Sequence, residues 1–151
     1  MTGVTALAQY SQPVRDVENP ARSPFWSFDG GPISLSTANV ILNMGTVPAG
    51  QRLVIEHVAV QCTGDADDNI SQATISVYKK TGGGWTSWSV PLAVRNQGTG
   101  YDGKGIWTAS QVLRLYSDGV GSATWVNVHH RKTTSTAHCF AVVSGNTIST
   151  P

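Results

Sequence analysis

The chain has 151 residues, with 10 Lys and Arg against 9 Asp and Glu, a formal net charge of +1 and only 13% charged residues. Such neutrality excludes a polybasic nucleic-acid binder, because phosphate recognition needs clustered cations. Hydrophobic residues at 40%, with Trp 5, Tyr 4 and Phe 3, exclude a disordered tail, and no apolar run approaches the roughly 18 residues of a membrane-spanning helix.

From the N-terminus, Met1 to Ala8 carries neither the basic block nor the apolar run of a secretory signal. A first strand is predicted over 5–10. Residues 11–32 break the pattern. They hold Pro13, Pro20 and Pro24, a cluster of charges, and then Phe25, Trp26 and Phe28. Some 20 structureless residues are anomalous inside a compact domain, so 1–32 is expected to be an extended arm. An arm with three aromatics must bury them, either against its own domain or on a neighbouring subunit.

Further strands are predicted over 33–44, 52–63, 72–80, 86–94, 106–116, 122–131 and 137–143, about eight in all. Ile75 and Val77 alternate with Thr74, Ser76 and Tyr78, which describes a strand with one wet face. In 53–60 the phase changes: Leu53 and Ile55 share one face, Val58 and Val60 the other. One extra residue near Glu56 and His57, a β-bulge, reconciles them. Val47-Pro48-Ala49-Gly50, Gly82-Gly83-Gly84 and Ser117-Asp118-Gly119 read as turns. Short strands without crossover helices predict an all-β fold, an antiparallel β-sandwich of jelly-roll type over 33–151. Cys62 and Cys139 end two of the strands. They read as half-buried free thiols, with a disulfide left open because it needs Cα atoms within about 7 Å.

Three segments together carry a resemblance: Pro13-Val14-Arg15-Asp16-Val17-Glu18-Asn19-Pro20-Ala21-Arg22, Val47-Pro48-Ala49-Gly50-Gln51-Arg52-Leu53-Val54-Ile55-Glu56, and Ala109-Ser110-Gln111-Val112-Leu113-Arg114-Leu115-Tyr116. The chain resembles a group of small bacterial β-sandwich proteins, commonly exported, that carry an extended arm before the sandwich. The resemblance implies arm, turn and strand. It implies no catalytic residue.

Few constellations carry chemistry. No Gly-x-Ser-x-Gly elbow is present. His129 and His130 are adjacent on a strand and point to opposite faces, so they cannot share one metal ion. Asp65, Asp67 and Asn69 place oxygens at alternate loop positions, which suits a hard cation. The helical calcium-loop pattern fails, however, because Ile70 stands where it needs Gly and Ser76 where it needs Glu. A solvated acidic turn is the plainer account, and no cofactor is implied. The aromatic loops say more. Trp85 and Trp88 flank a flexible turn, and Asn96, Tyr101, Asp102 and Trp107 surround a Gly-rich loop. Sugars stack on such rings while amides and carboxylates take their hydroxyls. Trp and Tyr equally anchor protein interfaces.

The reading that results is a non-catalytic, homo-oligomeric β-sandwich module. Phe25, Trp26 and Phe28 serve assembly, and Trp85, Trp88, Asn96, Tyr101, Asp102 and Trp107 contact a subunit or a surface glycan. A virion structural protein, as capsid decoration or tail component, is the alternative, and a hydrolase comes last. The compartment stays open between virion or cytoplasmic assembly and a mature extracellular form.

Overall fold

Segments with a two-residue period satisfy their backbone N–H and C=O groups only by pairing with other segments. The structure, a computed structural model, describes residues 22–33, 38–81, 84–118, 122–132 and 137–149, and these contain strands, turns and bends but no helix. Nine strands occur among them: β1 (Arg22–Ile33), β2 (Asn39–Thr46), β3 (Gln51–Gly64), β4 (Asn69–Thr81), β5 (Gly84–Leu92), β6 (Arg95–Thr99), β7 (Gly105–Asp118), β8 (Ala123–Lys132) and β9 (Ala137–Ser149). They form two antiparallel sheets, one ordered β1-β9-β3-β7-β6 and the other β2-β8-β4-β5. The fold is all-β, as expected.

The core lies between the sheets. Leu53, Ile55, Val58, Val60, Cys139, Ala141 and Val143 face it from the five-stranded sheet, and Leu42, Met44, Ile75, Val77, Val126 and Val128 face it from the other. The inward positions predicted on β4 and β8 are buried as their alternation requires. Register shifts between Ile55 and His57 against both β7 and β9, which is where the phase change in 53–60 demanded a bulge. That shift lets Ile55 and Val58, three residues apart, both reach the core.

Two strands correct the expectation of about eight. Residues 22–32, assigned above to the arm, form most of β1, so the sheet begins at Arg22 rather than at residue 33. Pro24, Gly30, Gly31 and Pro32 make this stretch read as a loop. Prolines are tolerated because β1 is an edge strand that pairs only with β9. β6 is five exposed residues with no apolar alternation, held along β7 around an irregularity at Asn96 and Gly98. The strand predicted over 5–10, and the rest of the arm to residue 21, lie outside the described residues.

β9 also runs to Ser149, six residues past its predicted end at 143. Its second half is polar and carries no hydrophobic period, yet it stays paired because it lies between β1 and β3. Gly145 makes this possible. A Cβ there would stand 1.9 Å from the Val54 carbonyl oxygen. Further along β1, Asp29 ties the sheets together, its Oδ2 accepting the Asn43 N–H at 2.7 Å.

The cysteines are not free thiols. Cys62 on β3 and Cys139 on β9 are register partners, with Cα atoms 4.1 Å apart, and their sulfurs are joined in a fully buried disulfide. Register between strands 77 residues apart, invisible in the sequence, decides this pairing.

Candidate recognition surface

A β-strand with apolar residues at successive positions is apolar on both faces. β9 has this character, with Phe140-Ala141-Val142-Val143. Cys139, Ala141 and Val143 fill the core, which leaves Phe140 and Val142 exposed on the outer face of the five-stranded sheet. Its neighbours continue the theme. β1 adds Trp26, 73% exposed, and Phe28, 54% exposed, while β7 adds Val112, 82% exposed. Pairing sets these side chains in rows across the sheet. Phe28 opposes Val142, Val142 opposes Ala59, and Ala59 opposes Ser110.

The Phe140 ring is placed by a glycine. Gly30 is its register partner, and a Cβ at Gly30 would meet the ring at 2.3 Å. With that space open, Phe140 lies across the strand and stacks on Phe28, centroids 5.9 Å apart and planes 13° apart. Beside this stack runs an open trough of about 530 Å³, lined by Phe28, Ala59, Gln61, Ser110, Phe140 and Val142 among others. None of the lining side chains carries a formal charge. Polar groups sit at its rim: His57 Nε2 is 2.9 Å from Ser110 Oγ, and Gln97 Nε2 donates to Thr108 Oγ1 at 2.8 Å.

Past the bulge the same face changes character. Asn146 Nδ2 donates to Glu56 Oε2 at 2.9 Å, and Arg22, Arg114 and Tyr116 surround a smaller hollow of about 160 Å³. The outer face thus has an apolar end and a polar end, divided at Glu56.

The loop residues singled out in the sequence do not converge. Trp88 is half exposed on β5, beside Arg114, Leu115 and Tyr116. Tyr101 and Asp102 occupy the tight turn before β7, where Gly100 N–H bonds Lys104 O and Asp102 Oδ1 accepts the Lys104 N–H. Leu115 and Gly105 are ten residues apart on β7, which separates the two aromatics by roughly 30 Å at a strand's rise per residue. Asn96 is exposed on β6, its Oδ1 engaged by the Gly98 N–H. Trp107 belongs to the core at 3% exposure, so it offers no face to a ligand. Gly105, two residues before it on the same face, leaves the space its ring occupies. The side chain of Trp85 lies outside the described residues.

Of the three assembly aromatics, Trp26 and Phe28 lie on the exposed face, whereas Phe25 points inward and packs on the core. Asp65, Asp67 and Asn69 are exposed around a turn whose organiser is the buried Asp68. Asp68 Oδ2 accepts the Asp65 N–H at 2.8 Å, and Oδ1 faces His130 Nε2 at 3.5 Å. Among the described residues no three His, Cys, Asp or Glu side chains gather as a metal site. His57 and Ser110 form a base–hydroxyl pair on an open sheet face, and no carboxylate bonds the other His57 nitrogen among the described residues.

Phe140 and Val142 were not among the residues that the sequence singled out. The signal was available in Phe140-Ala141-Val142-Val143, because a continuous apolar run marks a strand covered on both faces. No protein family, curated protein or solved structure matches the chain.

Proposed function

We propose that this chain is a non-catalytic jelly-roll module that acts by assembling with copies of itself. One observation carries the reading: the outside of the five-stranded sheet holds an uncharged, apolar trough lined by exposed Phe28, with exposed Trp26 in the adjacent row. A soluble monomer rarely leaves a contiguous apolar patch of this kind, and such patches mark interaction sites. An enzyme would instead concentrate titratable groups in a concave pocket.

Strand order supports the jelly-roll form. The pairings nest as in one long hairpin: β4 with β5, β3 with β7, β2 with β8, and β1 with β9. Rolling that ribbon sets β3 against β9 and β4 against β8, with β6 as an added edge strand. The same architecture serves capsid and lectin domains, so a virion component, as capsid decoration or tail part, is the second reading. The buried disulfide suits an oxidising setting such as a virion or cell surface.

Light scattering across a concentration series of the full chain tests the proposal. Assembly predicts a molar mass that rises to a small multiple of 16.0 kDa. A constant monomer mass overturns it.

A further inference from the structure

We propose that the partner on the outer face of the five-stranded sheet is a second copy of the chain, stacked face to face about a two-fold axis so that each Trp26 enters the other's trough. This rests on the assembly reading above and names its geometry. Three observations point to a second copy.

The first is charge. In a two-fold contact a residue near the axis meets its own symmetry mate, so any formal charge there faces its like. The trough lining carries none, and the next row, Trp26, Ser144, His57 and Val112, holds no acid, Lys or Arg, His57 being its one titratable side chain. With a net charge of +1, two copies also repel weakly at long range. A charged partner would find nothing to match.

The second is shape. Trp26 projects at 73% exposure from the edge strand, and the trough opens two to three strands inward. A two-fold axis in the interface, midway between them, carries each onto the other. A buried Trp in a pocket, ringed by weaker contacts, is the usual form of an interface anchor. Here the ring would include Val112, Phe28 and the His57–Ser110 pair.

The third is size. Four strands at about 4.8 Å and seven or so residues at about 3.3 Å give a face of roughly 20 by 23 Å. That is about 460 Å² in projection, over half of the roughly 800 Å² of accessible surface that each partner gives to a standard interface, which suits a small two-fold contact.

The experiment uses the full chain and four variants: Trp26→Ser, Val112→Lys, Ile41→Ser as a control on the outer face of the four-stranded sheet, and a deletion of residues 1–21. Each is followed by light scattering and sedimentation, with thermal unfolding as a check on the fold. Trp26 and Val112 are exposed, so their replacement leaves the core intact. The wild type and Ile41→Ser are expected at twice 16.0 kDa at the top of the concentration series. Trp26→Ser and Val112→Lys are expected to associate at least tenfold more weakly, with unchanged unfolding. If both stay at the wild-type mass, the face is not the interface, while assembly stands. If the wild type is a monomer throughout, both proposals fall. Loss of the dimer on deleting residues 1–21, with Trp26→Ser unaffected, would assign assembly to that segment instead. A monomer whose tryptophan emission responds to oligosaccharide in the wild type and not in Trp26→Ser would assign the trough to a glycan instead.

Discussion

Reducing the Cys62–Cys139 bond removes a link between two strands that already lie side by side, so it perturbs the unfolded chain far more than the folded one. The cysteines are register partners on β3 and β9, with Cα atoms 4.1 Å apart, and the pairing on either side of them persists without the sulfur bond. Unfolded, the cross-link closes a loop across 77 residues of sequence. Loop-closure entropy then gives a contribution of about 4.5 kcal/mol, a large share of the roughly 5–15 kcal/mol that stabilises an ordinary domain. At this length each kcal/mol corresponds to roughly 2–4 °C, so the unfolding temperature should fall by roughly 9–18 °C. Urea titration of oxidised and fully reduced protein, followed by far-UV circular dichroism, reads the difference. The m-value should rise on reduction, because an unlinked chain exposes more surface when it unfolds. A stability change below about 1 kcal/mol would refute the entropic argument. Two thiols reacting in urea without reductant would refute the cross-link itself.

Asp68→Ala should cost about 2–4 kcal/mol, because it strands the Asp65 N–H and leaves buried His130 without its carboxylate. Asp68→Asn, which keeps an acceptor for the turn, should cost less, and chemical denaturation of both variants ranks them. Gly145→Ala should destabilise by about 3 kcal/mol or more, because the new methyl meets the backbone carbonyl of Val54, which cannot move without parting β3 from β9. Hydrogen exchange should show the loss of protection centred on β9. Gly30→Ala should act differently. Its methyl meets the Phe140 ring, which can swing outward, and comes within 3.3 Å of the Cys139 carbonyl oxygen, so stability should change by about 1 kcal/mol while self-association weakens. If its molar mass is unchanged, the ring's placement does not matter to assembly. On a glycan array, binding that survives both Trp88→Ser and Tyr101→Ser would remove the loop aromatics as sugar platforms.

Strands that bury one face were legible because the period of side chains is also the period of burial. Ile75 and Val77, or Val126 and Val128, needed no knowledge of partners. The bulge was legible for a related reason. A strand cannot keep Ile55 and Val58 in one core without an extra residue, so the contradiction in the pattern located it. Long-range decisions were hidden. β1 looks like a loop until its edge position makes Pro24 and Pro32 harmless, and the polar half of β9 has no pattern of its own. Trp107 was misread for a local reason. A Gly-rich stretch suggested an exposed loop, but Gly105 removes a side chain so that the ring of Trp107 can lie inward. Spacing of two between glycine and tryptophan puts both on one face, and that was the overlooked sign.

The same consideration bears on the composition. A neutral chain of this size can be stable alone if each sheet is apolar on one face only, and the four-stranded sheet largely meets that condition, with Ile41 its large exposed aliphatic among the described residues. The five-stranded sheet does not. Phe140 and Val142 extend its apolar character outward between strands that themselves present Phe28 and Ala59. Burying an aromatic side chain is worth a few kcal/mol at about 25 cal/mol per Å², so leaving Trp26, Phe28 and Phe140 in water forgoes several kcal/mol that polar residues at the same exposed positions would not. Low charge adds to this, since nothing on the apolar end of the face opposes a second apolar surface. The polar end, with Glu56, Arg22 and Arg114, bounds this apolar area on one side. A face built this way selects its partner by shape and by the absence of charge, and the partner most consistent with both is the same face turned through 180°.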